Sequence, residues 1–548
     1  MEFSPAARLL LERRYLLPGE TPDALFARVA GAVGGPERSR EFFSLLSRLL
    51  FLPNSPTLMN AGTPAGQLSA CFVLPIEDTL EGIFTSLAHM ALVHRSGGGT
   101  GFSFSRLRPR GDAVNGVVGA ASGPVSFMRV FDAATGAVRQ GGRRRGANMG
   151  VLTASHPDIE EFITAKRAGG LRNFNLSVGI DGRFLRCLAT GKDYDLTNPR
   201  DGSVSRSIDP ASLWRLIAAS AHASGEPGVL FLDEIDRQST TPHLGPIEAT
   251  NPCGEQPLYP YESCNLGSVN LARCIKNHDI DEDLLATVIR CGIDFLDAVI
   301  DANRFPLPVI REKTLATRKI GLGVMGFAET LIRLGIPYES DEALRFAGKL
   351  MEGIEALARE RSEELGAVKG SFPAIEGSVY TNDMRNATVT TIAPTGSLHL
   401  IAGTTSGIEP VFSFAYSRVI DGQQVAIVSD LVRELLPATA GGMDVAEHVR
   451  RHGTVEGLPL ADHTRDLFRT AVDIAPEHHV RMQAAFQRHV DNAVSKTVNL
   501  KETATAGEIA RIFSLARDLG CKGIAVYRYR SRPDQVLSRG CDVCIVDD

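Results

Sequence analysis

Asn251-Pro252-Cys253-Gly254-Glu255 is the segment of this 548-residue chain whose residue types and spacing most sharply suggest chemistry. Side chains alternate faces along extended backbone, so Asn251, Cys253 and Glu255 would share one face. Pro252 and Gly254, which carry no reactive group, would take the other. A thiol set between an amide and a carboxylate suits sulfur chemistry with an acid/base group at hand. Cys264 follows eleven residues later in YESCNLGSVNL, and Cys71 opens an apolar run after Ser69-Ala70. Each of these, taken alone, reads as a cysteine buried for packing. Cys541-Asp542-Val543-Cys544 is a CxxC pair, which serves either as a redox dithiol or as half of a zinc site. No second CxxC or histidine pair lies nearby to complete four ligands, so redox use is the favoured reading and no residue is assigned to a metal. Cys187, Cys274, Cys291 and Cys521 fall in apolar patterns and are assigned to structure.

Other motifs could meet a nucleotide. Pro394-Thr395-Gly396-Ser397-Leu398 opens an apolar run, and at a helix N-terminus its N–H groups and hydroxyls would suit a phosphate. Gly321, Gly323 and Gly326 match the spacing of a dinucleotide fingerprint, with Glu339 lying 18 residues past Gly321. The preceding REKTLATRK is polar where that fingerprint needs a buried apolar strand. A nicotinamide site there is therefore disfavoured. Arg143-Arg144-Arg145 reads as a solvated loop. His478 and His479 would diverge by about 100° on a helix and are assigned to structure.

These residues need a scaffold. Residues 1–50 look helical, with LLERRYLL and ALFARVAGAV separated by Pro18-Gly19. Beyond them, short apolar runs such as CFVLPI (71–76), SGGGTGFSF (96–104), NFNLSVGI (173–180) and GVLFLDEI (228–235) alternate with helical patterns. ASLWRLIAASAHAS (211–224) and DEDLLATVIRCGIDFLDAVI (281–300) are two of the latter. The alternation predicts an α/β fold with a parallel-rich sheet or barrel over 51–530. Residues 417–470 read as a peripheral insertion, and 531–548 as a flexible tail. Apolar residues at 43% and charged residues at 22% are ordinary for a globular protein. A net charge of −6 disfavours nucleic acid as a partner. No run approaches the roughly 18 apolar residues of a membrane span. The N-terminus reads as an amphipathic helix, not a signal peptide, and nine cysteines are too few for a disulfide scaffold. A cytoplasmic, reducing setting is the expectation.

NPCGEQPLYPYESCNLGSVNL resembles the active-site segment of the large catalytic chain of ribonucleotide reductases, in their adenosylcobalamin-dependent class II group. The resemblance continues, in the family's order, through SPTLMNAGTPAGQLSACFVLP (55–75), SGGGTGFSFSRLRPRG (96–111) and QGGRRRGANMGVLTASHPDIEEFI (140–163). It recurs at NFNLSVGI, RKIGLGVMGFAE (318–329), TIAPTGSLHLIAGTTSGIEPVF (391–412) and DNAVSKTVNL (491–500). It implies a ten-stranded α/β barrel of two five-stranded parallel halves set antiparallel, with Cys253 on a buried central loop and Gly321, Gly323 and Gly326 at a tight strand-to-helix turn. It also implies reduction of ribonucleotides, expected as diphosphates, to deoxyribonucleotides for DNA synthesis. By this resemblance the thiyl of Cys253 removes the 3′-hydrogen, Glu255 takes the 3′-hydroxyl proton and Asn251 hydrogen-bonds the sugar. Cys71 and Cys264 supply two electrons by closing a disulfide, which Cys541 and Cys544 reopen. Substrate would be held by Ser55, Ala70, Cys71, Gly98, Asn251, Pro252, Cys253, Gly254, Glu255, Pro394, Thr395, Gly396, Ser397 and Leu398. A deoxynucleotide or ATP effector would meet Asp78, Arg95, Arg108 and Lys166, near loops 106–119 and 166–173, across a homodimer interface. The external reductant would be of the thioredoxin or glutaredoxin type.

The radical source also follows from the resemblance. Class I chains carry an adjacent tyrosine pair, whereas Tyr527 and Tyr529 here are separated by Arg528; no glycyl-radical ending follows. Adenosylcobalamin is thus implied. Only about 50 residues precede SPTLMNAG, so a full ATP-binding cone is not expected. The alternatives are a class I-type chain needing a radical-generating subunit, an NAD-dependent oxidoreductase, or a catalytically lapsed nucleotide-binding regulator.

Overall fold

The computed structural model describes residues 3–531 and 537–539, apart from Asn115, Val118, 141–143, Ala168 and Asp421. Its main sheet comprises β1 (Phe51–Pro53), β2 (Cys71–Val73), β3 (Gly99–Ser103), β4 (Asn148–Thr153), β5 (Phe174–Ile180), β6 (Gly228–Phe231), β7 (Ser263–Asn270), β8 (Ile320–Met325), β9 (Thr497–Leu500) and β10 (Gly523–Arg528). Strands β2 to β6 run parallel, each beside the next. In the second half β7 is parallel to β8, and β9 to β10. Between these pairs runs the segment around 390–392, where Thr390 is the parallel partner of Leu322 and Ile392 that of Val494. Antiparallel pairing joins the halves at both edges, β2 to β7 and β6 to β10. The circuit therefore closes into two halves of five parallel segments, the barrel that the resemblance implied. β1 lies alongside β7, antiparallel to it.

Parallel neighbours cannot be joined by a tight turn, so each crossover carries a helix. Leu80–Arg95, Pro124–Ala137, Ile159–Thr164, Pro210–Ser224 and Glu282–Ala302 fill this role. The helices Pro5–Arg14 and Pro22–Ser47 lie N-terminal to the barrel, the second broken at Gly35 (φ 56°) ahead of Pro36. They share a core with the second half. Phe42 and Phe51 both meet Phe295 edge-on, with centroids 5.0 and 5.5 Å away.

Residues 414–468 build a small core of their own from Phe414, Leu431, Val432, Val445, Val449 and Phe468, as a peripheral insertion should. The hairpin Ala415–Ile420 and Gln423–Val428 takes Leu537–Arg539 as a third strand. Part of the expected flexible tail is thus paired.

A short hairpin, Ala249–Thr250 with Pro257–Leu258, spans the interior from one half to the other. Barrel interiors are normally filled by side chains, so the hairpin needs walls that lack them. A Cβ on Gly101 would fall on the carbonyl oxygen of Thr250, and one on Gly99 would stand 2.9 Å from Pro252. On the other wall a Cβ on Gly321 would stand 2.8 Å from Gln256 Nε2, and one on Gly323 would strike the Thr391 carbonyl. This corrects the reading of Gly321 and Gly323 as turn residues. They lie within β8, and only Gly326 (φ 82°) turns the chain into helix Phe327–Leu334. Arg318 and Lys319, whose polarity argued against a strand, are buried as ion pairs with Asp297 (2.6 Å) and Glu262 (2.8 Å).

Gly101→Ala is expected to lower the unfolding free energy by about 1–3 kcal/mol through overpacking. Gly348→Ala, on a helix with nothing near the new methyl, should be neutral or stabilising. Denaturant unfolding of the two variants beside the parent checks the pair.

Candidate active site

The segment 251–256 is not extended. The Gly254 N–H donates to the Asn251 carbonyl (3.1 Å), and Gly254 has a left-handed φ of +84°. The Asn251 N–H donates to the Gln256 carbonyl (3.1 Å), and the Gln256 N–H to Asn251 Oδ1 (3.0 Å). The one-face arrangement of Asn251, Cys253 and Glu255 is therefore replaced by a tight turn at the hairpin tip. Asn251 and Glu255 turn inward and are buried, while Cys253 is exposed. The expected buried Cys253 is corrected accordingly: closing the turn through backbone bonds pushes its middle residues outward. The tip is pinned on both sides. Asn175 Nδ2 donates to the Pro252 carbonyl (2.8 Å), while the Ala493 N–H (2.9 Å) and Thr391 hydroxyl (3.0 Å) donate to the Glu255 carbonyl.

Cys71 and Cys264 are direct cross-strand partners where β2 meets β7. Opposed residues in an antiparallel pair have Cα atoms about 4.5–5.5 Å apart, within the range that a disulfide spans. Both are buried, and the seven described cysteines are all thiols. Asn251 Nδ2 donates to Cys71 Sγ (3.1 Å), tying the tip to this pair. Burial pushes the Cys71 thiol well up; Glu255, Cys264 and Cys253 push it further, and the Asn251 bond opposes them. Three thiols and a carboxylate thus act on one another in a single cluster. Burial raises the Glu255 carboxyl to about 7, and its Oε2 has no hydrogen-bond partner. An orphaned buried acceptor with a near-neutral pKa is suited to taking a proton from an incoming hydroxyl.

The other expected substrate residues cluster unevenly. Ala70 and Ala393 pack against the Cys71–Cys264 cluster, which brings the 394–398 segment to its border. Ser55 begins the helix Ser55–Asn60 and shares a hydrogen bond with the Tyr15 hydroxyl (2.8 Å). Gly98 is buried where a Cβ would strike Phe72. The 394–398 segment opens a helix, Leu398–Ala402, of only five residues, and Ser397 makes no capping bond. Thr395 adopts φ 50° and its hydroxyl accepts the Gly407 N–H (2.8 Å). The expected helix N-terminus is therefore a bend with little dipole behind it. Gly396 still faces open space.

Of the expected effector residues, Asp78 and Arg108 meet: the Asp78 carboxylate accepts the Arg108 N–H (3.0 Å) and Nε–H (2.8 Å). Arg95 lies at the far end of helix Leu80–Arg95, about 24 Å of helix from Asp78, so one chain does not bring them into one site. Lys166 forms an ion pair with Glu226 (2.8 Å), whose other oxygen accepts the Leu176 N–H, so it anchors β5. His478 and His479 bond the Tyr338 and Ala471 carbonyls (2.8 and 2.9 Å), a structural use as expected. Cys541, Cys544 and Arg143 lie outside the described residues.

Sequence reasoning missed Lys319 and Glu262, a buried pair beside Cys264. Glu262 stands two residues before that cysteine, and no pattern links it to Lys319. Cys264 Sγ donates to the Lys319 carbonyl (3.3 Å), and Lys319 Nζ lies over the Tyr259 ring, 4.4 Å from its centroid.

The family model "Ribonucleotide reductase, barrel domain" matches residues 69–384 and 374–527, and "Ribonucleotide reductase, all-alpha domain" matches residues 1–66. The chain is similar to a vitamin B12-dependent ribonucleoside-diphosphate reductase of Mycobacterium tuberculosis (strain ATCC 25618 / H37Rv), at 49% identity over 98% of this chain and 79% of that protein. A protein so named from Thermoplasma acidophilum is 48% identical over 94% of this chain and 68% of its own length. A ribonucleoside-diphosphate reductase subunit alpha of Chlamydia pneumoniae is more distant, at 27% identity over 84% of this chain and 52% of that protein. Closed two-half barrel, central hairpin and family models agree: the chain belongs to the ribonucleotide reductase family.

Proposed function

We propose that this protein reduces ribonucleotides, as diphosphates, to 2′-deoxyribonucleotides with adenosylcobalamin as the radical source. The observation that carries this reading is the thiol pair Cys71 and Cys264, set face to face and joined through Asn251 to the hairpin bearing Cys253 and Glu255. The residues fit the cofactor: the Cys253 thiol is exposed at the tip, and nothing stands within 4 Å of a Cβ built on Gly254 beside it. Cys253 and Gly254 would face the bound coenzyme across this open side. When bound, adenosylcobalamin supplies the one-electron oxidation of a thiol. Cys253 Sγ, as a thiyl, takes the 3′-hydrogen of the ribose and returns it to C3′ at the end of the cycle, and the ionised Glu255 accepts the 3′-hydroxyl proton and gives it back. Loss of the 2′-hydroxyl as water consumes two electrons and two protons. Cys71 and Cys264 provide both, giving up their S–H bonds and forming an S–S bond.

Recycling needs a second dithiol, and Cys541 with Cys544 fills that role, recharged by a thioredoxin- or glutaredoxin-type protein. A homodimer is part of the proposal, because Asp78 and Arg108 lie far from Arg95 within one chain and a two-fold partner would supply the missing side of an effector site. Among the described residues no helix is long and apolar enough to cross a membrane. A cytoplasmic setting is proposed from the thiol chemistry.

Cys253→Ala should abolish deoxynucleotide formation in an assay with coenzyme, dithiothreitol and a ribonucleoside diphosphate; product from that variant would reject the reading. Cys541→Ser/Cys544→Ser should lose most turnover with a protein reductant and keep it with dithiothreitol. Glu255 carries a pH signature. Its value in the fold lies above the ordinary 4.5, so its stabilising contribution is complete below that pH and is lost as pH rises through about 7. Relative to Glu255→Gln, the parent should therefore lose about 3 kcal/mol of unfolding free energy between pH 4.5 and 8. Denaturant titrations at both pH values check this.

A further inference from the structure

The N-terminal helices grip the segments assigned to substrate. Tyr15 caps helix Pro5–Arg14, its N–H donating to the Leu11 carbonyl (2.9 Å), which fixes where its side chain departs. The ring is fully buried in the core that holds Leu11, Leu58 and Met59. Its hydroxyl stands 2.8 Å from Ser55 Oγ, at the first residue of helix Ser55–Asn60. The far end of that short helix is held from the same N-terminal region. Arg28 donates to the Leu58 (3.4 Å) and Ala61 carbonyls, and Glu20 fixes its guanidinium (2.7 Å) while accepting the Leu17 N–H (2.9 Å). Helix Pro5–Arg14 also packs on Leu398–Ala402, which the 394–398 segment opens. One N-terminal element therefore touches both Ser55 and the helix behind the 394–398 segment.

The hydrogen-bond inventory gives the Tyr15–Ser55 contact a direction. Each hydroxyl carries one hydrogen and can also accept. Among the described residues, Tyr15 Oη and Ser55 Oγ have no partner but each other. One of the two hydrogens is thus left without an acceptor in the chain. On Tyr15, which is 1% exposed, it would be sealed in the core at a cost of about 1–3 kcal/mol. On Ser55, which is 8% exposed, it can be offered to an arriving group. The favoured arrangement has Tyr15 donating to Ser55 Oγ. An oxygen that accepts a hydrogen bond becomes, through polarisation, a better donor of its own hydrogen.

We propose that Tyr15 is a positioning residue for substrate: by donating to Ser55 Oγ it turns the Ser55 hydroxyl hydrogen toward an acceptor oxygen of the bound ribonucleotide. The inference rests on the ribonucleotide reduction proposed above and on Ser55 as one of its substrate residues. It makes the region outside the barrel a determinant of affinity, with the chemistry at Cys253 untouched.

The test is a double-mutant cycle on the full-length chain with Tyr15→Phe, Ser55→Ala and the pair together. Equilibrium binding of cytidine diphosphate is measured without coenzyme, and turnover with coenzyme and dithiothreitol. Tyr15→Phe keeps the ring and removes only the hydroxyl. It should raise the dissociation constant and KM about three- to tenfold, the worth of one hydrogen bond, and leave kcat at saturation unchanged. Ser55→Ala should weaken binding at least as much, and the double variant no further, because Tyr15 acts only through Ser55. Unchanged binding in Tyr15→Phe or in Ser55→Ala would overturn the proposal. So would losses that multiply in the double variant, which is the signature of a merely structural role for Tyr15. Binding by the parent without turnover would sink the proposed reduction alone, with the cycle still judging Tyr15. A parent that binds no cytidine diphosphate would overturn both.

Discussion

A backbone hairpin can lie inside a closed barrel only where the surrounding walls carry no side chains and its own polar groups are met. Both conditions are satisfied by few residues. Gly99 and Gly101 clear one wall and Gly321 the other, the two sides belonging to different parallel halves, while Gly323 gives room to the adjacent Thr391 backbone. Asn175, Thr391 and the Ala493 N–H then supply donors to the carbonyls of the tip. Because protein interiors pack at crystal-like density, a single added methyl at these points has nowhere to go. The placement of Cys253, Asn251 and Glu255 relative to the thiol pair is inherited from this fit.

Within the site, environment divides the work between identical groups. Glu255 and Glu262 are both buried glutamates, seven residues apart. One keeps an oxygen without a partner and is poised near neutrality; the other is saturated by a lysine, a hydroxyl and a backbone N–H. The first can exchange a proton, and the second holds a charge still. Cys71 and Cys264 are both pushed up by burial and by Glu255, and each has one opposing neighbour, the Asn251 amide for Cys71 and Lys319 for Cys264.

Much of the scaffold was legible in the sequence. The run at 228–231 is apolar throughout because parallel strands are covered on both faces, and the helices at 210–224 and 282–302 carry a clear amphipathic period. Closure into two halves came from the resemblance alone, since no local pattern states that β2 pairs with β7. The turn at 251–256 was misread because one positive φ at Gly254 overrides the alternation of an extended strand. The glycines of β8 were misread because Arg318 and Lys319 seemed too polar to precede buried backbone, and only their distant acidic partners explain them. Asp78, Arg108 and Lys166 were legible as charged residues but not in their local pairings, which depend on contacts from elsewhere in the chain.

The position of Cys71 and Cys264 at one of the two junctions between the halves has a mechanical side. A bond between them would staple the first strand of one half to the first strand of the other and enclose the whole leading half in a covalent ring. Cross-links that close long loops restrict the unfolded chain most in the entropic account. Each catalytic cycle would then lock and unlock the barrel's own girth, making resistance to thermal opening a readout of where in the cycle the molecule stands.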